Sequence, residues 1–313
     1  MRIDITYLLW LQDIRITAHD GWTTFMQGVS SFGSSYALLL PILIYWCWDK
    51  RRGLLTLASL YVCLALTALI KLTACVYRPW VRDPRVVPAG KLPSSYSFPS
   101  RHTSMATTIY LGASVTLWQH KKTKWLVVLC VLAALLTGFS RNYLGVHTPQ
   151  DVLVGLILSV VCLCGVWKLG GYLQQHPENE NRILLITAVA CLIALGYIYY
   201  KSYPMDYVDG KLLVSPRKAI HSGFESIGGL FAFCLARYIE KTWIRFQATG
   251  LHMKGIVYGM IGLIPLYLLL EYTEKPLKHL LGAPMGCFTW AACLTFYIVA
   301  LYPLILKWRF GQK

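Results

Sequence analysis

The chain has 313 residues, 56% of them hydrophobic and only 14% charged, with a mean hydropathy of +0.50. A water-soluble fold of this length cannot hide so much apolar surface, which excludes a soluble enzyme or a disordered chain and leaves an integral membrane protein. Thirty Lys+Arg against 14 Asp+Glu give a formal +16, which points to anionic partners, either lipid headgroups or an anionic substrate; the basic residues are scattered between apolar runs, so nucleic acid is not expected.

In chain order, residues 3–30 read as an amphipathic helix lying on the membrane surface, with Ile3, Tyr7, Leu8, Trp10, Leu11 and Ile14 alternating with charges. Asp4, Asp13 and Asp20 interrupt any signal-peptide core. Nine apolar runs follow as candidate spans, near 34–48, 54–75, 103–119, 125–143, 150–168, 183–200, 219–238, 255–272 and 287–306. The expected fold is therefore all-α, a polytopic membrane bundle of about nine spans. It divides into an interfacial segment 1–33, a core 34–170 and additional C-terminal helices 171–313. With nine spans the basic stretches 49–52, 120–124, 241–254 and 307–313 share one side, expected to be the cytoplasm. The N-terminus and the long Pro-, Arg- and Ser-rich connection 76–102 then lie outside. The expected location is the bacterial cytoplasmic membrane. Ten cysteines without CxxC spacing read as small buried hydrophobes, and no metal, cofactor or disulfide framework is expected.

Three segments carry chemistry, each at the outer end of a span. In the first, Lys71 and Arg78-Pro79 are two turns apart and share a face if the helix continues; charges so near a span are costly unless paired or functional, and snorkelling to the interface is the simpler reading. In the second, Pro99-Ser100-Arg101-His102, Ser100 is a plausible N-cap whose helix amides would bind an anion, and His102 is a proton donor near neutral pH. In the third, Ser140 and Arg141 close one span while His147 and Asp151 open the next. Thr148-x-x-Asp151 with Pro149 reads as a capping box; Asp151 one turn from His147 equally reads as a carboxylate that fixes the imidazole tautomer for attack. Further on, His221 and Glu225 read as a pair pointing into the bundle, making a structural hydrogen bond as the simpler reading or forming a substrate-selecting wall. Tyr199, Tyr200, Tyr203 and Tyr207 read as an interfacial aromatic belt.

Taken together, Lys71-x6-Arg78-Pro79, Pro99-Ser100-x-His102 and Ser140-Arg141-x5-His147-x3-Asp151 resemble the three-part signature of the type-2 phosphatidic acid phosphatase superfamily, which includes acid phosphatases and vanadium haloperoxidases. The resemblance covers about residues 71–151. It implies a phosphatase core in which His147 attacks phosphorus, Asp151 orients it and His102 protonates the leaving group. Lys71, Arg78, Ser100 and Arg141 would hold the phosphate, and no metal would be needed. One departure stands out: Arg101 replaces the Gly usual between the Ser and the His. It would add a phosphate contact or crowd the pocket, and an added contact would favour a second phosphate. A site at the outer interface, beneath a loop carrying Arg82, Arg85 and Lys91, suits a lipid phosphate. The candidates are phosphatidate, phosphatidylglycerol phosphate, a polyprenyl diphosphate, a sphingoid phosphate, lipid A or, away from lipids, a sugar phosphate. A phosphotransferase using the same intermediate, or an anion or lipid transporter, are the alternatives; the oligomeric state is not encoded in any of these features.

Overall fold

A computed structural model describes residues 3–18, 20–90, 92–119, 121–208 and 211–311; Lys91, His120 and the end of the basic tail lie outside these. The first helices are α1 (Ile3–Thr17) and α2 (Asp20–Ser34). A tight turn at Tyr36–Leu38, α3 (Leu39–Leu43) and a wide π-helical turn at Ile44–Trp48 continue α2 into one membrane-length run, Asp20–Trp48. The stretch 3–30 is therefore two helices rather than one, and the first crossing begins before residue 34. Pro41, which has no N–H to give, sits within this irregular run.

Asp49 caps α4 (Lys50–Ala74) by accepting from the Arg52 amide at 2.8 Å. There follow α5 (Pro79–Arg82), α6 (Arg101–Trp118), α7 (Lys124–Tyr143), α8 (Pro149–Gln175) and α9 (Glu180–Tyr200). A short antiparallel hairpin, β1 (Tyr207–Val208) and β2 (Lys211–Leu212), leads to α10 (Pro216–Ile239). The chain ends with α11 (Met253–Tyr272), α12 (Glu274–Leu281), α13 (Ala283–Phe296) and α14 (Tyr302–Arg309).

Eight of the described helical runs are long and apolar enough to cross a membrane. Helix α6 completes the bundle despite its polar content because Thr103, Ser104, Thr107, Thr108 and Thr116 are buried between α4, α7 and α8 rather than facing lipid. The two ends of α4 show how the bundle is polarised. Lys50 and Lys71 are separated by about 30 Å of helix. Lys50 lies at the basic end, where its Nζ donates to Glu240 at 2.6 Å and to the Phe246 carbonyl at 2.7 Å; Lys71 lies at the end where the motif segments gather.

The C-terminal helices pack into the same core. Helix α10 lies against both α4 and α13, and Gly228 permits this approach because a Cβ there would meet the Phe288 backbone at 2.9 Å. At the basic end the π-helical turn Tyr297–Leu301 leaves carbonyls free for other donors. Tyr45 Oη donates to the Val299 carbonyl at 3.0 Å and Trp46 Nε1 to that of Ile298 at 2.9 Å, locking the first span to the last. Beside them Glu240, with no exposed side-chain surface, accepts from Lys50 and Arg237, and Glu180 accepts from Arg237 at 2.8 Å and Lys241 at 3.0 Å.

Removing one member of a buried ion network leaves the others desolvated and unpaired. Glu240→Ala is expected to destabilise the bundle by roughly 3 kcal/mol, read as a lower thermal midpoint in detergent; an unchanged midpoint would show that the network is not structural.

Candidate active site

Helix α4 ends at Ala74 because Cys75 adopts a left-handed conformation, φ 49°. Lys71 and Arg78 therefore do not share a continuous helical face as the spacing suggested, and each reaches the site from a different backbone. Lys71 is buried, and its Nζ donates to the carbonyls of Tyr96 at 3.0 Å, Ser97 at 2.9 Å and Pro99 at 2.8 Å. All three ammonium hydrogens are thus committed to folding the 96–99 loop. Arg78 follows in an extended backbone; its Nε donates to the Ser95 carbonyl and its Nη1 to the Val146 carbonyl, each at 2.8 Å.

Ser100 is the N-cap of α6, fully buried, its hydroxyl accepting from the Thr103 hydroxyl at 2.8 Å and the Thr103 amide at 3.4 Å. Its own amide donates to the Asp151 carbonyl at 3.0 Å, which fastens the second segment to the third. His102, in the first turn of the helix, is half-buried. Arg101 turns away toward α10, donating from Nη1 to Ser222 Oγ at 2.7 Å and from Nη2 to Glu225 at 2.5 Å. Glu225 accordingly pairs with Arg101, and no hydrogen bond joins it to His221 among the described residues.

The third segment is positioned by Gly145, whose φ of +69° lets the chain turn sharply between α7 and α8. Thr148, Pro149 and Asp151 form the capping box that opens α8. The same carboxylate faces the imidazole: Asp151 Oδ2 accepts from the Thr148 amide at 2.8 Å and Ser97 Oγ at 2.5 Å, and lies 3.3 Å from His147 Nδ1. On the other side of the ring Nε2 is 2.8 Å from Arg78 Nη1. A guanidinium can only donate, so Nε2 is the acceptor and the ring proton sits on Nδ1, toward Asp151. Burial, followed by the charges of Arg78, Lys71 and Arg141 and by His102, holds the His147 pKa well below 6.5. The capping and orienting roles of Asp151 thus coexist in one side chain.

Arg141, buried at the end of α7, donates from Nη1 to Ser30 Oγ at 2.5 Å, while its Nε is buried without a partner among the described residues. A buried, unmatched N–H of this kind is ready for an added acceptor. Lys71, Arg78, Arg141, His102, His147 and Asp151 therefore come together at one end of the bundle; Ser100 supports them from its cap, and Arg101 points elsewhere. Four contributors had escaped the motif reading. Ser97 lies two residues before the second segment, and only the hydrogen bond to Asp151 reveals it. Asn142, which donates to the His147 carbonyl at 2.9 Å, lay beside Arg141. Ser95 and Ser30 gave no local signal.

Two cavities flank the cluster. One of about 490 Å³ is lined by Tyr77, Phe98, Thr148 and Asp151, with Asp4 and Arg82, paired at 2.7 Å, at its rim. The other, about 440 Å³, has Arg101, His102 and Glu225 among its walls and runs between apolar side chains of α4, α11 and α13. Helix α1 lies across this end: Gln12 binds the Val87 amide at 2.7 Å and Arg15 donates to the carbonyls of Tyr143, at 3.0 Å, and Val87.

Comparison with known proteins accords with this geometry. A family model described as the PAP2 superfamily matches residues 52–175. The chain is 29% identical over 136 residues to an undecaprenyl-diphosphatase of Sulfolobus acidocaldarius, covering 42% of this chain and 63% of that protein. It is 30% identical over 130 residues to a bacitracin transport permease protein of Bacillus licheniformis (40% and 61%) and 30% identical over 151 residues to phosphatidylglycerophosphatase B of Bacillus subtilis (44% and 69%). The chain thus spans a little over three fifths of the first two relatives. No solved structure matches it.

Ser97 donates to Asp151, so if this site turns over a substrate, loss of the hydroxyl should slow turnover more than it weakens binding. Ser97→Ala is expected to lower kcat by about tenfold or more with KM little changed, the scale of one hydrogen bond to a charged group, and Ser97→Thr should restore most of it. An effect on KM alone would contradict this role.

Proposed function

Because this chain belongs to the PAP2 superfamily, we propose that it is a membrane phosphatase that hydrolyses a lipid phosphomonoester or diphosphate through a phosphohistidine on the extracytoplasmic side. The observation that carries this reading is His147 itself: a buried imidazole with Nδ1 toward Asp151 and an unprotonated Nε2 against Arg78. That is the form a nitrogen nucleophile requires.

In the first step Nε2 forms a bond to phosphorus as the bond from phosphorus to the leaving oxygen breaks. The electron pair stays on that oxygen, which takes a proton from His102. In the second step water attacks phosphorus and gives a proton back to His102; the P–N bond breaks and inorganic phosphate leaves. Arg78 and the open Nε of Arg141 neutralise the equatorial oxygens, where charge is greatest. An arriving phosphoryl oxygen takes over the Arg78 N–H that now covers Nε2. Lys71 contributes its positive field and the shape of the 96–99 loop. Asp151 stabilises the imidazolium while the P–N bond exists. The basic stretches at the far end of the bundle support an outward-facing site.

One relative carries a transport name, and a transporter would keep its function without a nucleophile. His147→Ala is expected to reduce phosphate release from detergent-dispersed phosphatidate, phosphatidylglycerol phosphate or a polyprenyl diphosphate by at least about a thousandfold. Vanadate, which imitates pentacoordinate phosphorus, should inhibit the parent protein, and chelators should not. Undiminished release by the variant would overturn the proposal.

A further inference from the structure

Thr148 and Asp151, the partners of the His147 segment, line the cavity of about 490 Å³, whereas His102 lines the other. In-line displacement sends the leaving group away from the nucleophile, toward the acid that protonates it. On the phosphatase reading above, on which this inference rests, the leaving group therefore enters the cavity of about 440 Å³ beside His102. Most of its walls are apolar, including Leu60, Leu64, Trp290 and Leu294. Its lining also includes the guanidinium of Arg101 and the carboxylate of Glu225, bonded to each other at 2.5 Å. Helix α10, which supplies Glu225 and Ser222, lies outside residues 52–175 that match the family model.

We propose that this cavity is the leaving-group site and that Glu225, by occupying Arg101, sets it for the phosphomonoester of an apolar alcohol in preference to a diphosphate. The two leaving groups differ in charge. An alcohol departs neutral once His102 has protonated it, and neither Arg101 nor Glu225 opposes it. A diphosphate departs as a lipid phosphate that remains anionic. It would meet the Glu225 carboxylate, while the Arg101 guanidinium that would have received it already donates to Glu225 and Ser222. The arginine that replaces glycine in the motif, read alone, favours a second phosphate; its pairing across 124 residues of sequence reverses that expectation. Glu225 is thus a specificity residue acting through Arg101.

The test compares farnesyl phosphate with farnesyl diphosphate, which share one apolar chain, as substrates of the full-length protein in detergent, reading inorganic phosphate release. The parent is expected to have the higher kcat/KM on the monophosphate. Glu225→Gln frees Arg101 and should shift the ratio toward the diphosphate by about tenfold or more, the scale of a hydrogen bond to a charged group. Ser222→Ala should shift it the same way by less, and Glu225→Asp should keep the parent ratio. If Glu225→Gln fails to accumulate as folded protein, the Ser222→Ala and Glu225→Asp ratios decide. A parent that prefers the diphosphate, or a ratio unmoved in folded Glu225→Gln, would overturn the assignment. Absence of release from either substrate and from every lipid phosphate tested above would overturn the phosphatase reading and this assignment with it.

Discussion

A carboxylate buried in a membrane protein is costly unless donors match its oxygens. Asp151 meets that demand with groups from two of the three motif segments. It receives the Thr148 amide, the Ser97 hydroxyl and the His147 imidazole, and its backbone carbonyl receives the Ser100 amide. The cap of α8, the loop before α6 and the orientation of His147 are therefore one arrangement. Lys71 secures the same loop from the other side by filling three carbonyls. The remaining cations, Arg78 and Arg141, are held close to a ring that stays neutral because it is buried among them. Like charges crowd such a cluster until an anion enters, which under the proposed function is the phosphoryl group of the substrate.

What could be read from the amino acids follows from the range of the interactions involved. Thr148, Pro149 and Asp151 are adjacent, so the capping box was legible, as were the motif positions at helix ends and the alternation of basic and non-basic loops. Helix α6 was legible as a span only because its apolar residues outnumber its threonines; its burial among other helices explains why those threonines are tolerated. The partition of residues 3–34 into two helices was not legible, because it depends on α2 packing against α6 and α7. Nor were the partners of Arg101 and Arg141, which lie 124 and 111 residues away. No periodicity encodes such pairings. The expectation that Lys71 and Arg78 share a helical face gave way to Cys75, a non-glycine residue in left-handed conformation, at which no sequence rule would have ended α4.

The C-terminal helices deserve more than the status of an addition. Helix α10 packs against α4, and the π-helical turn that follows α13 is bonded to the first span through Tyr45 and Trp46. One consequence is chemical. Helix α10 places the Glu225 carboxylate beside Arg101, the motif residue that differs from the resembled pattern, so a residue outside the matched region pairs with one inside it. A basic residue added next to a phosphate site would otherwise alter which anions that site accepts.

The central claim is that His147, held by Asp151, takes the phosphoryl group. Brief mixing of the purified protein with a ³²P-labelled substrate, followed by an alkaline quench and peptide mapping, tests it most directly. The account predicts alkali-stable, acid-labile label on His147 that is lost in Asp151→Asn at equal loading. Label on a serine or carboxylate, or steady phosphate release with no labelled histidine under any quench time, would contradict it.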